Sequence, residues 1–173
     1  DLSSVDLRGA ELSGANLEGS DVRESNLSLA NLRETNLSRA KLEETDLNGA
    51  IYDNKTKWSE GFDVHNSGAL CIGPYAKLNG ANLEDANLYE ADLYNANLEV
   101  ANLVCANLRE ADLTGAKLEG ADLRGANLEG SDLRKAKLER GNLSNANLSR
   151  ADLRDADLYN ANLKGVYLNG AIY

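Results

Sequence analysis

Leucine recurs at a fixed interval of five residues along most of the chain. From Leu78 to Leu168 every fifth residue is leucine, and the same spacing holds from Leu2 to Leu47 except at Val22. A small residue, most often alanine, stands two positions before nearly every one of these leucines, and asparagine or aspartate usually stands between them. The repeating unit therefore reads A-(D/N)-L-x-x.

A period of five fits neither an α-helix nor a simple strand, whose side chains repeat every ~3.6 and ~2.0 residues. An α-helix would spread these leucines around its whole circumference, so the pattern excludes one. A short extended segment followed by a corner places the leucine and the small residue inside and the other three positions outside. Asparagine and aspartate suit the tight turn, and glycine is frequent two residues after leucine, as at Gly9 and Gly115, where a corner needs conformational freedom.

These repeats resemble those of the pentapeptide-repeat family, in the A(D/N)LXX form of its cyanobacterial members. The resemblance implies an all-β fold, a right-handed quadrilateral parallel β-helix with about 20 residues in each coil and nearly eight coils. Successive coils would stack at roughly 4.8 Å, the spacing of hydrogen-bonded strands. The expected core includes Leu83, Leu88, Leu93, Leu98, Leu103, Leu108, Leu113 and Leu118.

The repeat is interrupted between Tyr52 and Ala76 by a segment that carries the only tryptophan, phenylalanine, proline and histidine of the chain. We divide the chain into a first array at residues 1–54, an expelled loop or linker at 55–75 and a second array at 76–173. Deleting the loop would restore the spacing of five, which favours one continuous β-helix.

The alternative is two stacks joined by a folded linker, with Trp58 and Phe62 capping the open end of the first. Residues 47–52 recur letter for letter as residues 168–173, and we interpret the repeated ending as a fusion of two adjacent repeat proteins joined near residues 73–76. Tandem duplication would give the same repetition, and the natural reading frame distinguishes the two.

The chain is acidic, with a net charge of −10 and a pI near 4.6. This charge argues against direct binding to nucleic acid or to anionic membranes, because both need basic surfaces. No apolar run approaches the ~18 residues of a spanning helix, and no signal-peptide pattern opens the chain. We expect a soluble, cytoplasmic protein, although the chain does not begin with methionine and a removed targeting segment stays open.

Little in the sequence points to catalysis. His65 is the only imidazole, and no nucleophile motif or dinucleotide-binding fingerprint accompanies it. Cys71 and Cys105 lack the spacing of a metal or redox pair and are expected to be free thiols. The sequence therefore predicts a protein that is not an enzyme and that needs no cofactor or metal.

One set of carboxylates recurs once in each expected coil and would share one face: Asp92, Asp112, Asp132 and Asp152. They would form either an anionic stripe that mimics a phosphate backbone or gathers cations, or four turn residues that accept local backbone hydrogen bonds. Arg134 and Arg154 would partly neutralise the stripe.

Two further sets of residues are expected on the outside. One is a stack of glutamates whose charge is mixed with that of nearby lysines: Glu99, Glu119 and Glu139 with Lys117 and Lys137. The other is a group of tyrosines that would mark contacts: Tyr89, Tyr94 and Tyr159.

These features predict a noncatalytic scaffold or protein-interaction rod with an unknown protein partner. The alternative is a DNA mimic that binds DNA gyrase or topoisomerase, as some members of the family do. Duplex DNA as long as the expected rod, roughly 38 Å, carries about 22 negative charges, more than the net 10 of this chain. Uncapped coils would expose unpaired strand edges, so end-to-end homo-oligomers are a further expectation.

Overall fold

A computed structural model describes all residues from Asp1 to Tyr173. Single-residue parallel bridges join the coils, and most of them pair the residue before a leucine with the equivalent residue one coil later, as in Asn82 with Asn102. The named elements are two parallel strands, β1 (Ile51–Tyr52) and β2 (Leu70–Cys71), and a 3-10 helix at Val64–Asn66. No helix has the length and apolarity needed to cross a bilayer.

Each pentapeptide forms one side of a four-sided coil. Within a side, the Ala106 N–H donates to the Leu103 carbonyl at 3.1 Å and closes a turn. Between coils, the Leu103 N–H donates to the Asp122 carbonyl at 2.8 Å, and the Asn102 N–H donates to the Ala81 carbonyl at 2.9 Å. The predicted all-β, right-handed quadrilateral β-helix is confirmed.

The chain divides into two compact units, unit 1 (Asp1–Ile72) and unit 2 (Gly73–Tyr173). In unit 2 the eight leucines expected in the core are at most 2% exposed. The alanines that alternate with them from Ala91 to Ala116 are also buried, at 1% exposure or less. Since alanine occupies little volume, it leaves the interior of each coil to the leucines.

The interrupted segment differs from the expelled loop expected at residues 55–75. Lys57 forms a parallel bridge with Asn36, and its carbonyl accepts from the Leu37 N–H at 2.7 Å. Further on, strand β2 pairs with strand β1. Residues 57–71 thus include backbone that continues the stack of unit 1. In the regular repeats, bridged residues lie 20 positions apart in the sequence. The separation is 21 for Asn36 and Lys57 and 19 for Ile51 and Leu70, so the leucine period does not continue through this backbone.

Aromatic side chains of this segment pack against the core of unit 1. The rings of Trp58 and Phe62 stack with centroids 5.3 Å apart, and Tyr52 meets Trp58 edge-on at 5.5 Å. Trp58, Phe62 and Val64 are partly buried against the cluster that contains Leu32, Leu37 and Tyr52. These contacts pack the aromatic side chains of the segment against the buried residues of unit 1.

Every corner of the regular repeat needs a residue with positive φ. The position two residues after leucine has φ between 51° and 74° throughout, the pattern of a type II turn. Glycine is frequent there, but 19 non-glycine residues of the chain also adopt positive φ, including Val100 and Lys135. An L-residue in this region is strained by about 1–2 kcal/mol, so the inter-coil hydrogen bonds hold these corners against their own preference.

We expect Leu113→Ala to lower the free energy of unfolding of unit 2 by about 3 kcal/mol, because it removes a fully buried side chain from a tightly packed interior. Urea denaturation followed by circular dichroism measures the change. The matched variant Leu168→Ala, at a leucine that is 42% exposed, should cost less than about 1.5 kcal/mol. Equal losses would show that the leucine stack does not govern stability.

We expect Lys135→Gly to stabilise unit 2 by about 0.5–1 kcal/mol, because it relieves the strain of φ +60° at an exposed corner. Gly115→Ala should have the opposite sign, since Gly115 has φ +67° and an added Cβ would crowd the Asn95 side chain. Thermal unfolding compares both variants with the parent protein. A destabilised Lys135→Gly protein would contradict the assignment of strain to the corners.

Candidate functional site

The four aspartates predicted to share a face do so in unit 2. Parallel bridges join Asp92 to Asp112, Asp112 to Asp132 and Asp132 to Asp152. Asp92 is exposed and the other three are partly buried. We call the surface formed by these four residues the Asp face; neighbouring carboxylates on it lie on coils about 4.8 Å apart.

Each carboxylate of the Asp face also supports its own turn. The Oδ1 atoms of Asp112 and Asp152 accept from the backbone N–H two residues later, at 2.9 Å from Thr114 and 3.2 Å from Arg154. Asp92 and Asp132 accept in the same way at 3.2 and 3.1 Å. Asparagine makes the same bond elsewhere, as Asn97 does, so the turn explains a short polar side chain but not the choice of aspartate.

Arginine side chains neutralise one half of the Asp face, the bridged pair Asp132 and Asp152. Arg134 donates to the Asp132 carboxylate at 2.5 Å, and Arg154 donates to the Asp152 carboxylate at 2.6 Å. Arg134 Nε also lies 3.9 Å from Asp152 Oδ2. Hydrogen bonds from these guanidinium groups lower the pKa of Asp132 and lower the pKa of Asp152 to about 2.

The other half, the free pair Asp92 and Asp112, forms no ion pair. Beside it, the rings of Tyr75 and Tyr94 meet edge-on with centroids 5.6 Å apart, and the Tyr75 N–H donates to the Tyr94 carbonyl at 2.8 Å. Tyr75 is 67% exposed and Tyr94 40% exposed. The Asp face therefore has an anionic, aromatic half and a half with balanced charge.

Sequence reasoning missed Tyr75 as part of this surface, because the residue lies inside the segment assigned to the loop. Tyr94 was predicted to point outward. It follows Tyr75 by almost one full coil, and this spacing is the sequence feature that could have indicated that the two rings are neighbours. Of the other tyrosines named, Tyr89 lies 5.9 Å from the Arg109 guanidinium. Tyr159 is 69% exposed on a different face.

The remaining chemistry-bearing side chains do not converge. His65 is exposed on the 3-10 helix, and Cys71 and Cys105 are exposed free thiols. No group of three or more histidine, cysteine, aspartate and glutamate side chains has a geometry that holds a metal ion.

We expect Arg154→Gln to raise the pKa of Asp152 from about 2 toward its ordinary value of 3.8, because the variant removes the main hydrogen bonds to the ionised carboxylate. The folded state favours the ionised form, so the pair stabilises the protein above pH ~4 and this contribution is lost as the pH falls toward 2. Carboxyl carbon NMR shifts measure the titration. Arg124→Gln, which removes the partner of Asp122, should leave the Asp152 titration unchanged.

The whole chain was compared with known proteins. A search of curated proteins gave no match. Among solved structures, a pentapeptide repeat protein of the Arabidopsis thaliana thylakoid lumen is 34% identical, with 58% of this chain and 71% of that chain covered and a TM-score of 0.44. HetL, a pentapeptide repeat protein involved in heterocyst differentiation regulation in the cyanobacterium Nostoc, is 30% identical, with 99% and 86% covered and a TM-score of 0.32.

A third structure, a trypsin-treated variant of QnrB1, a plasmid-mediated fluoroquinolone resistance protein, is 16% identical, with 99% and 88% covered and a TM-score of 0.30. A family model described as pentapeptide repeats matches this chain in eight copies. The matched segments are residues 1–37, 10–49, 75–103, 101–140 and 142–172. These segments carry the five-residue period and the β-helical coils described above. The chain belongs to the pentapeptide-repeat family.

Proposed function

We propose that the protein is a noncatalytic scaffold that binds a partner protein through the free pair of the Asp face and the tyrosines beside it. The observation that carries this proposal is the division of the Asp face, in which Asp92 and Asp112 have no ion pair while Tyr75 and Tyr94 stand exposed next to them. Exposed tyrosines are enriched at protein interfaces. Unpaired carboxylates there favour a partner with basic residues.

The rigidity of the β-helix supports this role. The backbone of Asp112 is held against the preceding coil by two hydrogen bonds, because its N–H donates to the Ala91 carbonyl at 3.0 Å and its own carbonyl accepts from the Leu93 N–H at 2.8 Å. A surface held in this way loses little conformational entropy on binding. Such preorganisation is useful to an interaction surface even when the contact area is small.

The ion pairs favour a scaffold over the gyrase-binding DNA mimic. A mimic of the phosphate backbone needs a continuous row of negative charges, whereas Arg134 and Arg154 neutralise two of the four carboxylates of the Asp face. The free pair alone spans only about 5 Å. This length matches a few basic side chains of a protein better than a DNA-binding channel.

Two matched variants test the proposal. Asp92→Asn/Asp112→Asn removes the free pair, and Asp132→Asn/Asp152→Asn removes the bridged pair; both change the charge by the same amount and keep the side-chain oxygen that the turn uses. We expect the proteins that bind the immobilised parent chain to bind Asp132→Asn/Asp152→Asn as well. They should not bind Asp92→Asn/Asp112→Asn. Quantitative mass spectrometry of captured proteins gives the comparison.

Equal retention by both variants would contradict the proposal. A gyrase supercoiling assay with purified protein at micromolar concentration completes the test. We expect no inhibition, and inhibition that is lost in the Asp112→Asn/Asp132→Asn variant would establish the DNA mimic instead.

A further inference from the structure

Another face of unit 2 carries a groove of about 610 Å³, which we call the Glu groove. One side is formed by the glutamates at the position after leucine in three successive coils, Glu99, Glu119 and Glu139. Tyr159 continues the same row in the next coil. Ligand-binding clefts in proteins have volumes of roughly 300–1,000 Å³, so the groove is large enough for a side chain or a small molecule.

A glycine between two larger residues makes the groove. The corner positions of three successive coils are Val100, Gly120 and Arg140, and all three line the groove. An added Cβ on Gly120 would lie 3.3 Å from Val100 Cγ1. The missing side chain therefore leaves a notch between the valine and the arginine, and Val100, which is 66% exposed, forms an apolar wall.

Two carboxylate oxygens of the groove lack a hydrogen-bond donor. Oε2 of Glu119 and Oε2 of Glu139 are buried and have no hydrogen-bond partner. The sequence predicted mixed charge on this face, but Lys117 and Lys137 form no ion pair with these glutamates. A buried polar atom without a partner is costly, by about 1–3 kcal/mol in proteins. Donors supplied from outside would remove this cost after a small movement of the glutamate side chains.

We propose that the Glu groove binds an arginine side chain of a partner protein. The planar guanidinium group carries five N–H donors, enough to reach carboxylates on two coils about 4.8 Å apart. The exposed ring of Tyr159 offers an aromatic surface to a guanidinium plane. The aliphatic part of the arginine fits the wall formed by Val100, since long basic side chains bury their stems against apolar surface.

Lysine and small amines fit the groove less well. Their ammonium group is a compact charge that binds one carboxylate site at a time and keeps its water tightly. The inference rests on the proposed role as an interaction scaffold, which makes the ligand part of a protein. It concerns a different face from Asp92 and Asp112, so variants of the Glu groove and variants of the Asp face test the two proposals separately.

NMR titration of the purified full chain tests the inference with a blocked pentapeptide that has one central arginine. We expect its addition to shift the amide signals of Val100, Gly120 and Glu139. Glu119→Gln/Glu139→Gln should weaken binding by at least about fivefold, because it removes two charged acceptors. Glu84→Gln/Glu90→Gln, which changes the net charge equally outside the groove, should bind as the parent does.

A second pair of variants tests the shape of the groove. Gly120→Val fills the notch, and Gly125→Val places the same side chain at a corner with nearly the same φ, +65° against +66°, on the adjacent face. Both variants carry the same backbone strain, so only Gly120→Val should abolish the peptide-induced shifts. Loss of binding in both variants, each shown to be folded by its circular dichroism spectrum, would overturn the proposal.

Other outcomes also decide against it. Binding that both glutamate variants weaken equally would show attraction to net charge alone, and binding that is equal in the parent and both variants would show that the groove glutamates are not used. Equal binding of the same peptide with lysine in place of arginine, or binding of spermidine without binding of the peptide, would overturn the assignment to arginine. An arginine peptide that binds the parent and fails only with the groove variants supports it.

Discussion

The fold depends on two regularities that match each other. Each pentapeptide forms one corner, and each is hydrogen-bonded to the pentapeptide that lies four repeats later. The corner returns the chain to the same side of the coil after four repeats, so leucine lies over leucine and alanine over alanine. Backbone hydrogen bonds of 2.6 to 3.3 Å join the coils and close the corners. Leucine burial and these bonds stabilise each other, since neither exists for a single coil alone.

The same constraint explains how much of the fold could be predicted. The period of five identifies the core, because a buried leucine such as Leu113 and its outward neighbour Asp112 keep fixed places in every repeat. It does not identify residues 53–72, where Trp58 and Lys57 continue the stack without a leucine. In this segment the backbone bridges between coils continue, but the leucine pattern from which they could be predicted is absent.

The candidate sites were less accessible to sequence reasoning, since they depend on neighbours one coil away and on side-chain rotamers. The spacing of Asp92 and Asp152 predicted a shared face, but which carboxylates are neutralised depends on how Arg134 and Arg154 fold back. The Glu groove depends on Gly120, which looks like an ordinary corner glycine until Val100 and Arg140 are placed above and below it.

The pairing of each repeat with the fourth one after it has a consequence for how such surfaces change. Inserting one whole pentapeptide preserves the leucine period and the buried interior, but it turns every later residue by one quarter of a coil. Asp132 would then leave the face of Asp112, and Glu139 would leave that of Glu119. The fold therefore tolerates the insertion of a pentapeptide, whereas the arrangement of surface side chains does not. The number of pentapeptides between two residues determines whether their side chains are neighbours.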